Sequence, residues 1–167
     1  MKTSNADTFK ILIVAAEASS SLYAQRLLED WKKRGLKVDA FGIGNKKMET
    51  LGFRCLGYAE DLAVVGLVEV LKHFKKIYKV FYALVNEAEK VKPDLVLLLD
   101  YPDFNFRLAK KLKKKGFPIY YYISPQIWAW RQSRVYFIKK YIDKMLVLFP
   151  FEVDFYKKFG VDVVFVG

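Results

Sequence analysis

Six short runs rich in β-branched and aromatic residues recur along the chain, at 10–16 (KILIVAA), 38–44 (VDAFGIG), 94–100 (DLVLLLD), 118–124 (PIYYYIS), 143–149 (DKMLVLF) and 163–167 (VVFVG). Between them lie longer amphipathic stretches at about 21–34, 67–90, 104–115, 132–141 and 151–159. Strands that alternate with helix-length segments pair in parallel, because each crossover lays a helix on a face of the sheet. A strand such as LVLLL, apolar at every position, is one buried on both faces. The expectation is one α/β domain over residues 1–167, with a doubly wound, mainly parallel sheet and helices on both faces. The connections are short, and there is no linker-like composition or internal repeat. A hydrophobic content of 53% supplies the core such a domain needs. No run approaches the roughly 18 apolar residues of a membrane span. The opening MKTSNADTFK lacks a signal peptide's apolar stretch, so a cytoplasmic protein is expected. The single Cys55 cannot form an internal disulfide and reads as a small core residue.

In doubly wound sheets ligands sit outside the carboxyl ends of the strands, so the residues just after each strand are the ones to question. After the first strand comes AEASSS (16–21), where a nucleotide fold would place a glycine-rich phosphate loop. It contains no glycine, and without one the backbone cannot approach a pyrophosphate closely. Ser19, Ser20 and Ser21 read equally as a helix N-cap cluster, while Glu17 is harder to explain structurally. GIGNKKM (42–48) is a glycine-containing turn into a short helix. DYPDFN (100–105) puts Asp100 at the end of a very apolar strand, where a carboxylate is costly unless hydrogen-bonded or used. Two readings stand: Asp100 and Asp103 terminate the strand and cap the next helix, or Asp100 is a general base within reach of a substrate hydroxyl, with Asn105 a binding group. The fourth segment is SPQIWAWR (124–131), with Trp128 and Trp130 beside Arg131 and Arg134: an aromatic piece of core, or the rim of a site.

The formal net charge is +11, concentrated between Arg107 and Lys144, where eleven Lys or Arg face one acid, Asp143. An anionic partner is therefore expected, a phosphorylated ligand, acidic lipid headgroups or nucleic acid, against the plainer reading of a lysine-rich solvated surface. Residues 67–85 carry apolar side chains at 67, 70, 71, 74, 77, 78, 81, 84 and 85, the register of one helix face, with Lys72, Lys75, Lys76 and Lys79 mostly between. Such a stripe either packs on the sheet or lies on a membrane surface with its lysines toward anionic headgroups. His73 stands alone on this helix without a partner at ligand spacing. There is no HExxH, paired cysteine, GxSxG or Walker loop, so no metal and no cofactor are expected. What remains is proton transfer by a carboxylate beside basic and aromatic groups.

Four blocks, in order, resemble the lipid-A-disaccharide synthases, inverting enzymes of the glycosyltransferase B fold: EDLAVVGLVEVL (60–71), LDYPDFNFRLAKKLKKKG (99–116), YISPQIWAWRQSRV (122–135) and LFPFEVDFYKKFGVDVVFVG (148–167). The SPxxWAWR block is the most specific. The resemblance implies a Rossmann-like, acceptor-side amino-terminal domain. It implies transfer from UDP-2,3-diacylglucosamine to 2,3-diacylglucosamine 1-phosphate, giving the β-1,6-linked lipid A disaccharide 1-phosphate and UDP, at the inner face of the cytoplasmic membrane. Asp100 would deprotonate the acceptor's 6-hydroxyl. The substrate-binding candidates are Glu17, Ser19, Asp103, Asn105, Ser124, Trp128, Trp130, Arg131 and Arg134, the arginines as forked donors to phosphate. Val68, Val70, Leu71, Phe74, Ile77 and Tyr78 would touch the membrane. The family's first loop usually reads Gly-Glu-x-Ser-Gly-Asp, whereas here Glu17 and Ser19 stand without the two glycines and the aspartate. The family also continues into a domain that binds the UDP part of the donor, which is missing from these 167 residues, so the chain alone is not expected to turn over.

A reading from another class is a non-catalytic basic Rossmann-like module that binds nucleic acid, anionic lipid or a protein partner. Stacking aromatics beside arginines suit single strands, but Asp100 and Asp103 at the strand ends would repel phosphates, so no nucleic acid is expected.

Overall fold

A computed structural model of the chain describes residues 8–62 and 70–167, with side chains left out for 70–74. In chain order the elements are β1 (Phe9–Ala15), α1 (Ala18–Lys33), β2 (Val38–Gly44), α2 (Lys46–Glu49), β3 (Arg54–Tyr58), α3 (Ala59–Leu62), α4 (Val70–Val91), β4 (Leu95–Leu99), α5 (Pro102–Lys113), β5 (Ile119–Tyr122), α6 (Arg134–Tyr141), β6 (Lys144–Val147), α7 (Pro150–Lys158) and β7 (Val163–Phe165). The strands form one seven-stranded sheet in the order β3-β2-β1-β4-β5-β6-β7, and every pairing is parallel. The chain reverses direction across the sheet between β1 and β4, whose ends meet at Ala15 opposite Leu99. This is the expected doubly wound α/β fold.

Alternation along the strands builds two cores. Leu12 and Val14 of β1 join Leu84 and Val85 of α4, Leu108 and Leu112 of α5, Ile138 of α6 and Tyr156 of α7. Ile11, Ile13 and Ala15 point the other way, to Ala24 and Leu28 of α1 and Met48 of α2. Where β2 crosses β1 the backbones come so close that a Cβ on Gly42 would lie 2.0 Å from the Ile13 carbonyl oxygen. Only glycine fits there, and the β2–β3 register shifts at the same point.

The structure departs from the sequence reading in two ways that matter for the site. It has a strand, β3, where none was expected: RCLGY shows no alternation, and it sits at a sheet edge with only Gly57 buried. All of the expected strands except β2 also stop one or two residues earlier than their apolar runs. Asp100 and Tyr101 take left-handed backbone angles, φ 48° and 46°, and Ile123 takes 67°, so the chain leaves the sheet after Leu99 and Tyr122.

The N-cap of α1 is Glu17 rather than a serine, and two of the serines bond backbone groups around that start. The Glu17 amide donates to Ser20 Oγ at 3.0 Å, and the buried Ser21 hydroxyl donates to the Ala15 carbonyl at 3.1 Å, which starts α1 three residues earlier than expected. On α4, Leu84, Val85 and Ala88 are buried against the sheet. Ile77 is half-buried on the core, whereas Tyr78, expected on the same stripe, is 64% exposed. Val68 lies outside the described residues, as do the side chains of Val70, Leu71 and Phe74. Among the described residues no helix is long and apolar enough to cross a membrane.

Candidate active site

The end of β4 is held by side chains from two neighbouring elements. Asn105, in the second turn of α5 and fully buried, donates its amide hydrogens to the carbonyls of Leu99 at 3.2 Å and Asp100 at 2.7 Å. Tyr121 of β5, also fully buried, donates its hydroxyl to the same Asp100 carbonyl at 2.5 Å. Non-glycine residues adopt left-handed angles only when their surroundings over-determine them, and these three bonds do so. Asn105, expected as a substrate-binding group, thus spends its donors on the backbone that carries Asp100.

Asp100 opens onto a cleft of about 380 Å³ whose lining includes Asp103, Ser124, Trp128, Trp130, Arg131 and Arg134. Seven of the sequence candidates therefore converge on one space, drawn from the ends of β4 and β5 and the loop into α6. The guanidinium of Arg131 lies 4.5 Å from the Trp130 ring centre, and that ring is 60% exposed. Trp128 packs edge-on against Phe151 at 4.9 Å, while Gln132 donates to the Trp128 carbonyl at 3.0 Å and steadies the loop. Arg134 binds the Asp103 carboxylate at 2.9 Å across 31 residues of sequence. The Ser124 hydroxyl is bonded to the buried Tyr156 hydroxyl at 2.7 Å, whose own ionisation burial pushes well above the ordinary tyrosine range.

Besides Asn105, two candidates fall outside the cleft. Ser19 is exposed on the first turn of α1. Glu17 lines a neighbouring hollow with Asn45, Glu60 and Tyr101. Partial burial of its carboxyl raises the Glu17 pKa, and the adjacent Asp100 carboxylate raises it further by repulsion and a shared hydrogen bond. The native state holds this proton more tightly than the unfolded chain, so the stabilisation is complete below about pH 4.5 and is lost as pH rises through the raised value. Chemical denaturation of the parent across this window should show stability falling as pH rises, and Glu17→Gln should flatten that part of the profile. An unchanged slope in the variant would remove Glu17 as its source.

Glu152 also lines the cleft, and the sequence reading did not single it out. It is 2% exposed, and one of its carboxylate oxygens accepts the Phe149 amide at 3.1 Å at the start of α7. The signal was present, since 148–152 follows β6 as the other candidates follow their strands. Among the described residues no three His, Cys, Asp or Glu side chains gather as a metal site would require.

The family model for lipid-A-disaccharide synthetase matches residues 11–167. The chain belongs to that family. Among curated proteins it is similar to the lipid-A-disaccharide synthase of Koribacter versatilis, with 46% identity over 95% of this chain and 42% of that protein. It is 49% identical to the synthase of Trichlorobacter lovleyi over 95% of this chain and 41% of the relative, and 46% identical to that of Geobacter metallireducens over the same shares. The chain therefore spans about two fifths of the length of the synthases it matches. The blocks that carried the resemblance all fall within the matched region.

Proposed function

We propose that this chain is the acceptor-side, amino-terminal part of a lipid-A-disaccharide synthase, and that the 380 Å³ cleft receives the sugar phosphate of the acceptor. The observation that carries the reading is the convergence of a carboxylate held by its backbone with an arginine–tryptophan loop. Asp100 accepts the proton of the acceptor's 6-hydroxyl as that oxygen attacks the anomeric carbon of UDP-2,3-diacylglucosamine. The bond from that carbon to the UDP oxygen breaks, its electron pair leaves with UDP, and configuration inverts. Arg131 supplies a forked pair of donors to the acceptor phosphate, and its planar guanidinium rests on the Trp130 ring. Arg134 is the second cation, with Asp103 orienting it, while Ser124 and Trp128 form the wall. The UDP part of the donor is held by the length of the family that this chain does not span.

The exposed cationic face beside α4, with Lys75, Lys76 and Lys79, suits anionic lipid headgroups at the inner face of the cytoplasmic membrane. Ile77 and Tyr78, with Val68, Val70, Leu71 and Phe74, make the apolar contact.

The reading is tested on the chain itself by titrating inorganic phosphate and glucosamine 1-phosphate. Both should bind, and Arg131→Ala should weaken each by roughly tenfold or more, the scale of one lost charge-assisted pair. Binding that is the same in parent and variant would show that the phosphate is held elsewhere.

A further inference from the structure

Of the carboxylates that line the cleft, Asp100 takes the proton in the transfer proposed above and Asp103 orients Arg134, which leaves Glu152 without a task. Glu152 is buried, whereas Asp100 is half-buried and Asp103 faces water. A carboxylate withdrawn from water is costly unless its oxygens are hydrogen-bonded. One of them, Oε2, accepts the Phe149 amide, and the positive end of α7 complements its charge. The other, Oε1, has no hydrogen-bond partner among the described residues. It is not sealed within protein either, since the buried side-chain atoms without partners are Asn105 Oδ1 and Trp128 Nε1. The free oxygen of Glu152 therefore faces the cleft that its side chain lines.

The donors around it are engaged elsewhere. Arg134 binds Asp103, Arg131 lies over Trp130, and the Ser124 and Tyr156 hydroxyls are bonded to each other. A carboxylate oxygen only accepts, so its complement is a ligand group that donates, and a phosphate held by arginines is not one.

An acceptor sugar with a phosphate at position 1 and acyl groups at positions 2 and 3 keeps two hydroxyls, at positions 4 and 6. The 6-hydroxyl goes to Asp100, which leaves the 4-hydroxyl for a second carboxylate. Asp100 follows β4 and Glu152 follows β6, and strands two places apart stand about 10 Å from one another. That interval admits one sugar ring between the two acids. We propose that the free oxygen of Glu152 accepts a hydrogen bond from the 4-hydroxyl of the acceptor sugar, turning the ring so that its 6-hydroxyl is presented to Asp100. This rests on the acceptor reading given above. It makes Glu152 a specificity-determining residue, because an axial hydroxyl at position 4 points away from the place an equatorial one occupies.

The test uses the chain itself, with N-acetylglucosamine 1-phosphate, its 4-deoxy analogue, its 4-epimer N-acetylgalactosamine 1-phosphate, and inorganic phosphate as reference. The acetamide avoids a free amine, whose charge would itself seek a carboxylate. The 4-deoxy sugar and the 4-epimer should each bind roughly tenfold or more weaker than N-acetylglucosamine 1-phosphate, the scale of one hydrogen bond to a charged group. Glu152→Gln keeps an oxygen for the Phe149 amide and should cut the preference to about threefold or less, since a neutral bond is weaker. Glu152→Ala should abolish it, and both variants should bind inorganic phosphate as the parent does. A variant that only loosened α7 would weaken all three sugars by one factor, and that result would overturn the proposal. Equal affinity for the three sugars in the parent, with phosphate still bound, would overturn it and leave the phosphate reading standing. A preference that survives Glu152→Ala would place the 4-hydroxyl elsewhere and overturn it as well. Failure of the parent to bind inorganic phosphate would overturn the phosphate reading first, and this one with it.

Discussion

Asp100→Asn is expected to lower kcat for sugar transfer by roughly 10²–10⁴-fold, the usual contribution of a positioned general base, when the remaining length of the family is restored to this chain. Binding of glucosamine 1-phosphate should change by less than about threefold, because the proposed function assigns the phosphate to Arg131 and Arg134 rather than to Asp100. The asparagine keeps the shape and removes the proton acceptor. It also removes the charge that helps to raise the Glu17 pKa, so the Glu17 carboxyl should titrate lower in this variant, a change visible by NMR in the chain alone. Transfer within tenfold of the parent would remove Asp100 as the base.

Asn105 carries the second large effect. Replacing it by Ala leaves the Leu99 and Asp100 carbonyls without their amide donors, and buried groups left unpaired cost about 1–3 kcal/mol each. Two terms moderate the loss. Tyr121 still donates to Asp100, and the Asn105 Oδ1, itself buried without a partner, goes as well. The net destabilisation expected is about 2–3 kcal/mol, read from the midpoint of denaturant unfolding. Asn105→Asp should be worse than Ala although it is nearly isosteric, because a carboxylate would face carbonyl oxygens. An Asp variant as stable as the parent would show that the bonds to Leu99 and Asp100 do not hold the turn.

What was legible in the sequence follows the range of the physics involved. Burial of whole strands is written locally, and β1, β2 and β4 lie where their apolar runs do. The points where those strands end are not. The bend at Asp100 depends on Tyr121, 21 residues away, and the bend at Ile123 has no local glycine to announce it. Asp100 could be singled out because a carboxylate after LVLLL is anomalous on its face. Asn105 and Ser124 look like binding groups in one dimension, and only the fold shows their polar atoms engaged by Leu99, Asp100 and Tyr156. The pairing of Arg134 with Asp103 was equally invisible. β3 escaped notice because an edge strand with one buried residue need not alternate.

The left-handed turn at Asp100 and Tyr101 has a kinetic consequence. Backbone fixed by buried donors is already ordered before any ligand arrives, so association is governed by encounter and electrostatic steering rather than by a slow rearrangement. The same donors belong to the sheet's own core, through Tyr121 and Asn105. On heating, the proposed capacity to bind phosphate and the sheet itself should therefore vanish together in a single transition, with no intermediate in which the strands stay paired and the cleft has gone slack.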